Sequence, residues 1–380
     1  MKLSELVIKE IKGIWGDEPK PGDRVTPVIK TNDMSYEGYI SFSNLTYRTI
    51  PENKLTNSYL STGDLLIEKS GGTKTHSVGY VNIFEGEPNK YVCNNFILAL
   101  RLNDKIVMPK YLFYQLKYKY ESGLFSDCYN KTTGIQNLQV KTYLSKDVVI
   151  HNYAEQKRII DELDEITSLI HSNKNKIDIL NESIKSRFIE LFMDGDKDKY
   201  PLSKWEEVVT IKHGKDYKKN VAESGGYPVY GSGGFMGVYA NNYLVNENAT
   251  IIGRKGTIDK PIFVNEKFWN VDTAFGIEVN KKILNPLFFF IRSTLYDLKA
   301  FSTSTTLPSM TKDTLHKITI GIPPLELQNK FAGFVIQIDK SKFVVQKQIK
   351  DLKELLDKKM DEYFGGWEYE FWIFKWSNRF

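Results

Sequence analysis

The chain contains one pattern twice, which restricts it to folds built from two similar units. Residues 63–73 read Gly-Asp-Leu-Leu-Ile-Glu-Lys-Ser-Gly-Gly-Thr, and residues 249–257 read Ala-Thr-Ile-Ile-Gly-Arg-Lys-Gly-Thr. Each is a short apolar strand that ends in a basic turn containing glycine. A repeated segment marks a repeated structural unit, so the sequence predicts two copies of one module and a long partner that is read at two places.

The segments that follow the repeat recur in the same order. An aromatic strand is followed by a helix begun at proline, a Thr/Ser-rich loop, a further strand and a long charged helix. The matching pairs are 91–100 and 268–279 for the strand, 109–120 and 286–299 for the helix, 131–138 and 302–310 for the loop, and strands ending near Ile150 and Ile322. Pro286 fits the first helical position, with Asn285 as its N-cap.

Two long segments, 155–193 and 327–363, repeat apolar side chains at alternating steps of three and four, with Asn173 at one position of the first seam. This heptad pattern is typical of helices that pack on each other, and a polar seam residue helps to fix their register. A whole module separates the segments, so antiparallel pairing is easy to connect. The alternative is that each helix packs separately on its own domain.

A chain of 380 residues is long enough for two domains with separate cores. No apolar run approaches the ~20 residues that span a bilayer, and we expect a cytoplasmic protein. The net charge is +5; residues 154–194 carry −3 and residues 325–364 carry +1, which leaves +7 on the modules. This excess favours a polyanionic partner. Cys93 and Cys128, the only cysteines, are expected to be unreactive thiols.

The loops of both modules carry residue types that suit nucleic acid. Lys and Arg neutralise phosphates, glycine allows close approach of backbone N–H groups, and Gln and Asn can pair with a base edge. Basic and Thr/Ser-rich loops recur in both halves. The stretches 212–219 and 227–239 are further candidates, and the alternative for the glycine-rich run in the second is a simple hairpin. The candidate contacts are Lys69, Ser70, Gly71, Gly72, Thr73, Lys74, Lys131, Thr132, Thr133, Gly134, Gln136, Asn137, Lys215, Tyr230, Ser232, Arg254, Lys255, Gly256, Thr257, Ser304, Thr305 and Thr306.

The sequence offers no motif for catalysis, a metal or a cofactor. Residues 285–288 read Asn-Pro-Leu-Phe, which approaches an amino-methyltransferase tetrapeptide but has the wrong third residue and lacks a glycine-rich strand upstream. The five histidines are scattered singly. Two alternatives stay open at this point: an enzyme acting on DNA with a dispersed active site, and a coiled-coil scaffold that does not contact DNA.

The order and duplication of these segments resemble the DNA-specificity subunit of type I restriction-modification systems. The resemblance covers residues 2–364. It is carried by segments 63–73, 132–138, 154–159, 251–256, 269–273 and 322–328. It implies an α+β fold in which two similar α/β target-recognition domains are separated by a long antiparallel two-helix coiled coil. The expected parts are domains at 1–152 and 198–323, helical spacers at 153–197 and 324–364, and an aromatic tail at 365–380.

The resemblance also implies a non-catalytic subunit in a phage-defence system. Each recognition domain would read one half of an interrupted site in double-stranded DNA. The helices would dock two modification subunits that bind S-adenosylmethionine and methylate adenine, and motor-nuclease subunits would cut unmodified DNA. The chain departs from the family pattern at 307–310 (Leu-Pro-Ser-Met), at 150–153 (Ile-His-Asn-Tyr) and in the tail, whose expected role is to cover an apolar patch or to bind a partner.

Overall fold

The computed structural model describes residues 1–73, 75–130, 135–302 and 309–365. The chain divides into two compact units. Unit 1 contains residues 1–172 and the C-terminal part from residue 349, and unit 2 contains residues 173–348.

Unit 1 is a small α/β domain in which helices cover antiparallel sheet. Its described strands are β1 (Val7–Lys12), β2 (Thr26–Ile29), β3 (Thr46–Arg48), β4 (Leu65–Glu68), β5 (Ser70–Gly71), β6 (Val81–Ile83), β7 (Val92–Cys93), β8 (Ile97–Leu102) and β9 (Gln136–Asn137). Its helices are α1 (Glu52–Leu55), α2 (Pro109–Glu121), α3 (Val140–Leu144) and the first half of α4 (Tyr153–Phe192). One sheet has the order β1-β8-β4-β6, a second has the order β3-β2-β7, and β5 pairs with β9.

Unit 2 repeats this plan. Its described strands are β10 (Met193–Asp194), β11 (Lys197–Asp198), β12 (Leu202–Lys204), β13 (Val209–His213), β14 (Tyr227–Gly231), β15 (Gly234–Ala240), β16 (Ala249–Gly253), β17 (Ile262–Val264), β18 (Trp269–Asn270), β19 (Ala274–Val279) and β20 (Thr319–Gly321). Its helices are the second half of α4, α5 (Trp205–Val208), α6 (Pro286–Thr294), α7 (Lys312–His316) and the first part of α8 (Leu325–Phe364). The sheet orders β13-β19-β16-β17 and β15-β14-β18 match those of unit 1, so the predicted duplication is confirmed.

The apolar strands of the repeat lie at the centre of each core. All four residues of β4 and all five of β16 are buried, as expected for Leu- and Ile-rich strands covered on both faces. Helix α2 closes one side of the unit 1 core, and α6 does the same in unit 2. The predicted N-cap is confirmed, because Asn285 Oδ1 accepts from the backbone N–H groups of Leu287 and Phe288.

Each predicted aromatic strand is broken in two, which differs from the sequence expectation. In unit 1 the first piece, β7, pairs in parallel with β2 in the smaller sheet, and the second piece, β8, pairs antiparallel with β4 in the larger sheet. In unit 2 the first piece, β18, pairs in parallel with β14, and the second piece, β19, pairs antiparallel with β16. A short turn allows the chain to change sheets. In unit 1 it is fixed by Asn94 Oδ1, which accepts from the Phe96 N–H at 3.1 Å.

Three other predicted elements also differ from the structure. Helix α6 ends at Thr294, before a separate short turn of helix at Leu298–Phe301. The strand expected near Ile150 is only an isolated bridge between Lys2 and Asp147. Residues 194–199, expected to be a polar linker, include the hairpin of β10 and β11, and Asp198 forms a buried ion pair with Arg292 at 3.1 Å.

The long helices pair antiparallel in both units. In unit 1, Lys359 Nζ lies 3.0 Å from a carboxylate oxygen of Glu162, and Arg158 donates to the Tyr363 hydroxyl at 3.3 Å. In unit 2, Phe331 near the start of α8 packs edge-on against Phe188 near the end of α4, at 5.4 Å between ring centroids. These contacts exclude the alternative in which each helix packs only on its own domain.

The predicted polar seam residue is also in place. Asn173 is buried in α4, and its Oδ1 accepts from Lys176 Nζ at 3.1 Å. This pairing satisfies an amide oxygen that would otherwise be costly among the apolar residues of the seam. Because this bond lies within α4, a role for Asn173 in the register between the helices stays a prediction.

One buried glutamine anchors the start of each long helix to its domain. Gln156 Oε1 accepts from the Met108 N–H at 2.8 Å, and its Nε2 donates to the carbonyls of Ile106 and His151 at 3.0 and 2.9 Å. Gln156 and its counterpart near the start of α8, Gln328, are both fully buried, with a relative exposure of 0%. The amide can donate twice and accept at once, so it satisfies three backbone groups that would otherwise be unpaired at this junction.

Gln328 repeats the arrangement in unit 2. It accepts from the Asn285 N–H at 2.8 Å and donates to the carbonyls of Ile283 and Pro323 at 3.0 and 2.8 Å. The glutamine therefore ties the first turn of α8 to the first turn of α6 and to the segment that precedes each helix.

We expect Gln328→Ala to lower the free energy of unfolding of unit 2 by about 2–4 kcal/mol, because it leaves buried backbone groups without partners. Gln337→Ala, on the exposed side of the same helix, is the matched control and should cost less than about 0.5 kcal/mol. Denaturant unfolding of the full chain, with amide hydrogen exchange to follow Asn285, measures both. Equal losses in the two variants would contradict the assigned role of the buried glutamine.

Candidate nucleic-acid interface

In unit 1, the basic turn that follows β4 is held by backbone bonds on both sides. The N–H groups of Lys69 and Ser70 donate to the Phe96 carbonyl at 2.7 and 3.2 Å, and the Leu138 N–H donates to the Lys69 carbonyl at 2.8 Å. Beyond it, β5 pairs with β9, so Ser70 lies opposite Asn137 and Gly71 opposite Gln136. The turn and the Thr/Ser-rich loop, predicted separately from the sequence, therefore meet at one place.

The two glycines in this turn are required by its backbone. Gly71 has φ +133° and Gly72 has φ +71°, values that L side chains rarely adopt. A Cβ on Gly71 would also lie 2.6 Å from Glu68 Oε1. The sequence Lys-Ser-Gly-Gly thus combines a cation with a tightly curved main chain, which suits close approach to a phosphate.

Glu68 supports the turn from inside, a role that the sequence analysis missed. The residue is buried, its Oε1 accepts from the Gly72 N–H at 3.3 Å, and its buried Oε2 has no hydrogen-bond partner among the described residues. Burial raises the pKa of this carboxyl, while the Gly72 hydrogen bond acts in the opposite direction. An acid directly before a basic glycine turn was the signal available in the sequence.

The candidate base-reading amides of unit 1 are partly used within the protein. Gln136 Oε1 accepts from the Val78 N–H at 3.3 Å, and Asn137 Oδ1 accepts from the Ser70 hydroxyl. Gln136 is half-buried, whereas Asn137 is exposed. A DNA contact by Gln136 would therefore use its Nε2 group, which has no hydrogen-bond partner within residues 1–73, 75–130 and 135–172.

Unit 2 forms the equivalent turn with different side chains. The N–H groups of Arg254 and Lys255 donate to the Thr273 carbonyl at 2.7 and 3.2 Å, and the Met310 N–H donates to the Arg254 carbonyl at 2.8 Å. Lys255 is bridged to Ser309, as Ser70 is paired with Asn137 in unit 1. Gly256 supplies the positive φ, at +78°.

The segment 269–273 brings the other candidates of unit 2 to this turn. Trp269 Nε1 donates to the Lys215 carbonyl at 2.9 Å. The Val271 N–H donates to the Tyr230 carbonyl, also at 2.9 Å. A Cβ on Gly256 would lie 3.7 Å from Ser232 Oγ. The candidates predicted from three separate stretches of sequence are therefore close neighbours in this unit.

Several candidates lie outside the described residues. They are Lys74, Lys131, Thr132, Thr133, Gly134, Ser304, Thr305 and Thr306, together with all of the expected tail except Gly365. Thr73 and Thr257 are described and lie at the far ends of the two turns, where Thr73 Oγ1 accepts from the His76 N–H at 3.0 Å.

The turns present cations that are available to an anionic partner. Within the described residues, Lys69, Lys215, Arg254 and Lys255 form no ion pair, although Arg254 Nη1 donates to the Asp272 carbonyl at 3.3 Å. Lys215 and Lys255 are exposed. The same described ranges hold no group of acids, histidines or cysteines placed to bind a metal ion. They also hold no helix long and apolar enough to cross a bilayer.

Two copies of one α/β domain, each with a basic turn held against a second loop, define a protein of the nucleic-acid recognition class. Comparison with known families agrees with this class and narrows it to one family. The sequence profile described as "Type I restriction modification DNA specificity domain" matches residues 14–182 and again residues 198–354. The chain belongs to this family, and it is a DNA-recognition subunit without a catalytic role of its own.

Individual relatives agree with this assignment. A Methanocaldococcus jannaschii protein assigned as the specificity subunit of type I restriction enzyme MjaX is 22% identical over 367 residues, covering 87% of this chain and 86% of the relative. The MjaVIII specificity subunit of the same organism is 31% identical over 150 residues, 36% of this chain and 34% of its own. The alternatives of a DNA-modifying enzyme and a scaffold are not favoured.

Solved structures share the fold. A type I restriction-modification S subunit from M. genitalium matches with a TM-score of 0.57 and 17% identity, covering 95% of this chain and 94% of that chain. A chain from a study of complex assembly and conformational transition in the type I system matches with a TM-score of 0.54 and 14% identity, covering 96% of both chains. The expected α+β fold with long paired helices is confirmed.

We expect Glu68→Gln to reduce the pH dependence of unit 1 stability. Burial raises the pKa of Glu68 above its ordinary 4.5, so the native state holds this proton more tightly than the unfolded chain does. Its stabilising contribution is fully present below pH 4.5 and is lost as pH rises through the raised value. Urea unfolding at several pH values above 4.5 should show a smaller loss in the variant. Glu5→Gln, at an exposed position in the same unit, is the control, and parallel curves for Glu68→Gln and wild type would contradict the expectation.

Proposed function

We propose that each unit reads one half of a bipartite, interrupted site in double-stranded DNA. The observation that carries the proposal is the equivalence of the two turns, since the same backbone bonds hold Lys69 in unit 1 and Arg254 in unit 2. A single duplex that must satisfy both turns would be recognised at two separated places. The exchangeable recognition domains are proposed to be residues 1–152 and 198–323, with helical spacers at 153–197 and 324–364.

The proposed contacts divide into phosphate positioning and base reading. Lys69, Lys215, Arg254 and Lys255 would neutralise phosphates, with Lys74 and Lys131 as further candidates in the first module. The N–H groups at Gly71, Gly72 and Gly256 would approach the backbone of DNA closely. Hydrogen bonds to bases or to the backbone would come from hydroxyl and amide side chains. These are Ser70, Thr73, Thr132, Thr133, Gln136, Asn137, Tyr230, Ser232, Thr257, Ser304, Thr305 and Thr306, with Gly134 in the same loop as Gln136.

The paired helices are the proposed dock for two modification subunits, to which motor-nuclease subunits would be added. Unit 2 supports this with apolar side chains that its own core leaves exposed on α4 and α8, namely Ile179, Ile336, Phe343 and Val344. Exposed apolar surface of this kind is typical of a protein interface. S-adenosylmethionine would be bound by the modification subunits, and the assembly would act in the cytoplasm.

Lys255→Ala tests the phosphate role most cleanly, because Lys255 is exposed and has no internal side-chain partner among the described residues. We expect weaker binding to matched and mismatched duplexes by a similar factor, and a salt dependence of log K that is shallower by about one unit. Lys347→Ala, which removes the same charge from the exposed surface of α8, should leave the slope unchanged. Titrations at several salt concentrations measure both. An unchanged slope for Lys255→Ala would remove this residue from the interface.

Replacing residues 198–323 with the corresponding domain of another family member tests the two-reader proposal. Because each domain has its own core, the exchange should preserve folding and change only one half of the recognised site. Methylome sequencing of the source genome, with the native or the exchanged gene and its partner genes, reads both halves directly. A change in both halves would show that the domains do not read independently.

A further inference from the structure

The hairpin formed by β14 and β15 contains an irregularity and exposes two consecutive apolar side chains. Tyr230 pairs with Phe235 and Pro228 with Tyr239, so two steps along β14 correspond to four along β15. The extra residues form a bulge at Gly237, where φ is +75° and a Cβ would meet nothing within 4 Å. Bulges of this kind redirect side chains and increase the twist of a ribbon.

Both Phe235 and Met236 lie on the surface, with relative exposures of 47% and 44%. Successive side chains of a strand point to opposite faces, and these two neighbours follow that rule. Phe235 lies on the face of Tyr230, between Tyr230 and Tyr239, at 5.8 and 5.4 Å between ring centroids. Met236 lies on the other face, where its Sδ would be 3.5 Å from a Cβ on Gly231. Each face of the hairpin therefore carries one exposed apolar side chain.

The surroundings of these two side chains are cationic. At the tip of the hairpin, Ser232 lies beside Gly256 and therefore beside the Arg254–Lys255 turn. Along the other edge, the Asn241 N–H donates to the Asn220 carbonyl at 2.8 Å, which places the short helical turn Lys218–Asn220 next to the end of β15.

The nearby charges favour an anionic partner. Lys218 and Lys219 are exposed and form no ion pair among the described residues. The acids nearby include Asp216, whose Oδ1 accepts from the Lys218 N–H at 2.9 Å, and Glu266, which adds to the effect of burial in raising the pKa of Tyr230. Glu223 follows Ala222, whose N–H donates to the Tyr239 carbonyl at 2.9 Å, and Asp272 follows Val271, whose N–H donates to the Tyr230 carbonyl at 2.9 Å. Cations on two sides of an apolar tip complement a polyanion that also has apolar groups within reach of its backbone.

We propose that Phe235 and Met236 contact the C5-methyl groups of thymine in the major groove of the half-site read by unit 2. The inference rests on the proposed function, in which unit 2 reads one half of the site. The major groove admits a two-stranded β-ribbon, and the thymine methyl is an apolar feature of its base edges. Phosphates on either side of the groove would then face the Lys218–Lys219 turn and the Arg254–Lys255 turn.

The contact is specific to unit 2. In unit 1 the corresponding strands β2 and β3 are joined by a longer segment, residues 30–45, in place of a tight hairpin. The exposed aromatic Tyr36 of that segment stacks on His76, at 3.7 Å between ring centroids. Thymine-methyl reading by this pair of residues is therefore expected in one half of the DNA site only.

Substitution of thymine by deoxyuridine, which removes only the C5-methyl group, tests the proposal on duplexes carrying the motif recovered by methylome sequencing. Any half-site that contains a methylated adenine has a thymine opposite it, so at least one position is available. For the wild-type chain, we expect deoxyuridine at one or two positions of the unit 2 half-site to weaken binding about fourfold, the factor for one buried methyl group. Phe235→Ala or Met236→Ala should weaken binding to the thymine duplex by a similar or larger factor and should abolish the difference between thymine and deoxyuridine.

Several controls make the result decisive. Leu202→Ala, which removes an exposed apolar side chain of β12 in the same unit, should keep the deoxyuridine effect. Met236→Leu should restore most of it. Both hairpin variants should keep the wild-type salt slope, since neither removes a charge.

The two levels of the hypothesis fail differently. Sequence-specific binding with no deoxyuridine effect in the unit 2 half-site, or an effect that persists in both alanine variants, would overturn the methyl contact alone. Equal affinity of the wild-type chain for matched and mismatched duplexes would overturn the proposed function and this inference together. A deoxyuridine effect that also disappears in Leu202→Ala would show that the loss is not specific to the hairpin and would overturn the assignment.

Discussion

A fully buried glutamine at the start of each long helix is the interaction on which the rest of each unit depends. Gln156 and Gln328 each satisfy one backbone N–H and two carbonyls, drawn from the segment before α2 or α6 and from the segment before α4 or α8. Two breaks in regular structure meet at this point, and each leaves backbone groups that must find partners. An aliphatic residue could fill the volume but could not pair these groups.

This junction also decides how the recognition surface is held. The helix α6 packs directly under β16, and β16 ends at the Arg254–Lys255 turn, so fixing α6 to α8 fixes the base of the reading surface. In unit 1 the same sequence of contacts runs from α4 through α2 to β4 and Lys69. A recognition surface that is fixed to a helix loses little conformational entropy on binding. This favours specific binding over binding by a surface that adapts to different partners.

The features predictable from the sequence were those set by local patterns. The apolar strands 64–68 and 249–253, the proline-started helices and the heptad seams each depend on spacing within a few residues, and all are present. The aromatic strands divide between two sheets, and the β10–β11 hairpin forms, because of partners that are distant in the sequence, such as Arg292. A short stretch of sequence does not contain these partners. The predicted helix 155–193 places Gln156 near a helix start, but its three partners lie up to 50 positions away.

The candidate site shows the same limit. Recurrence of a basic turn and a Thr/Ser-rich loop correctly selected the stretches that meet, because both units use the same backbone bonds to join them. It did not reveal that Gln136 Oε1 accepts a hydrogen bond from the Val78 N–H. Nor did it reveal that the buried carboxylate of Glu68 supports the turn by accepting from the Gly72 N–H. Side-chain roles of this kind follow from burial and from chain crossings, which a repeated motif does not encode.

The two turns share a backbone but not their side chains, and this difference bears on what the units read. The hydrogen bonds of Lys69 and Arg254 are equivalent, as are those of Leu138 and Met310, so Ser70 in unit 1 corresponds to Lys255 in unit 2. The position of the buried Glu68 corresponds to Gly253, where a Cβ would lie 2.0 Å from the Thr257 carbonyl oxygen. Unit 1 therefore pairs one cation with a supporting acid, while unit 2 presents two adjacent cations and no acid at that position. Duplication of the scaffold kept the main-chain bonds that set the geometry, whereas the surface groups diverged. Because sequence discrimination comes from side chains at base edges rather than from the backbone that carries them, we expect the two half-sites to differ in sequence.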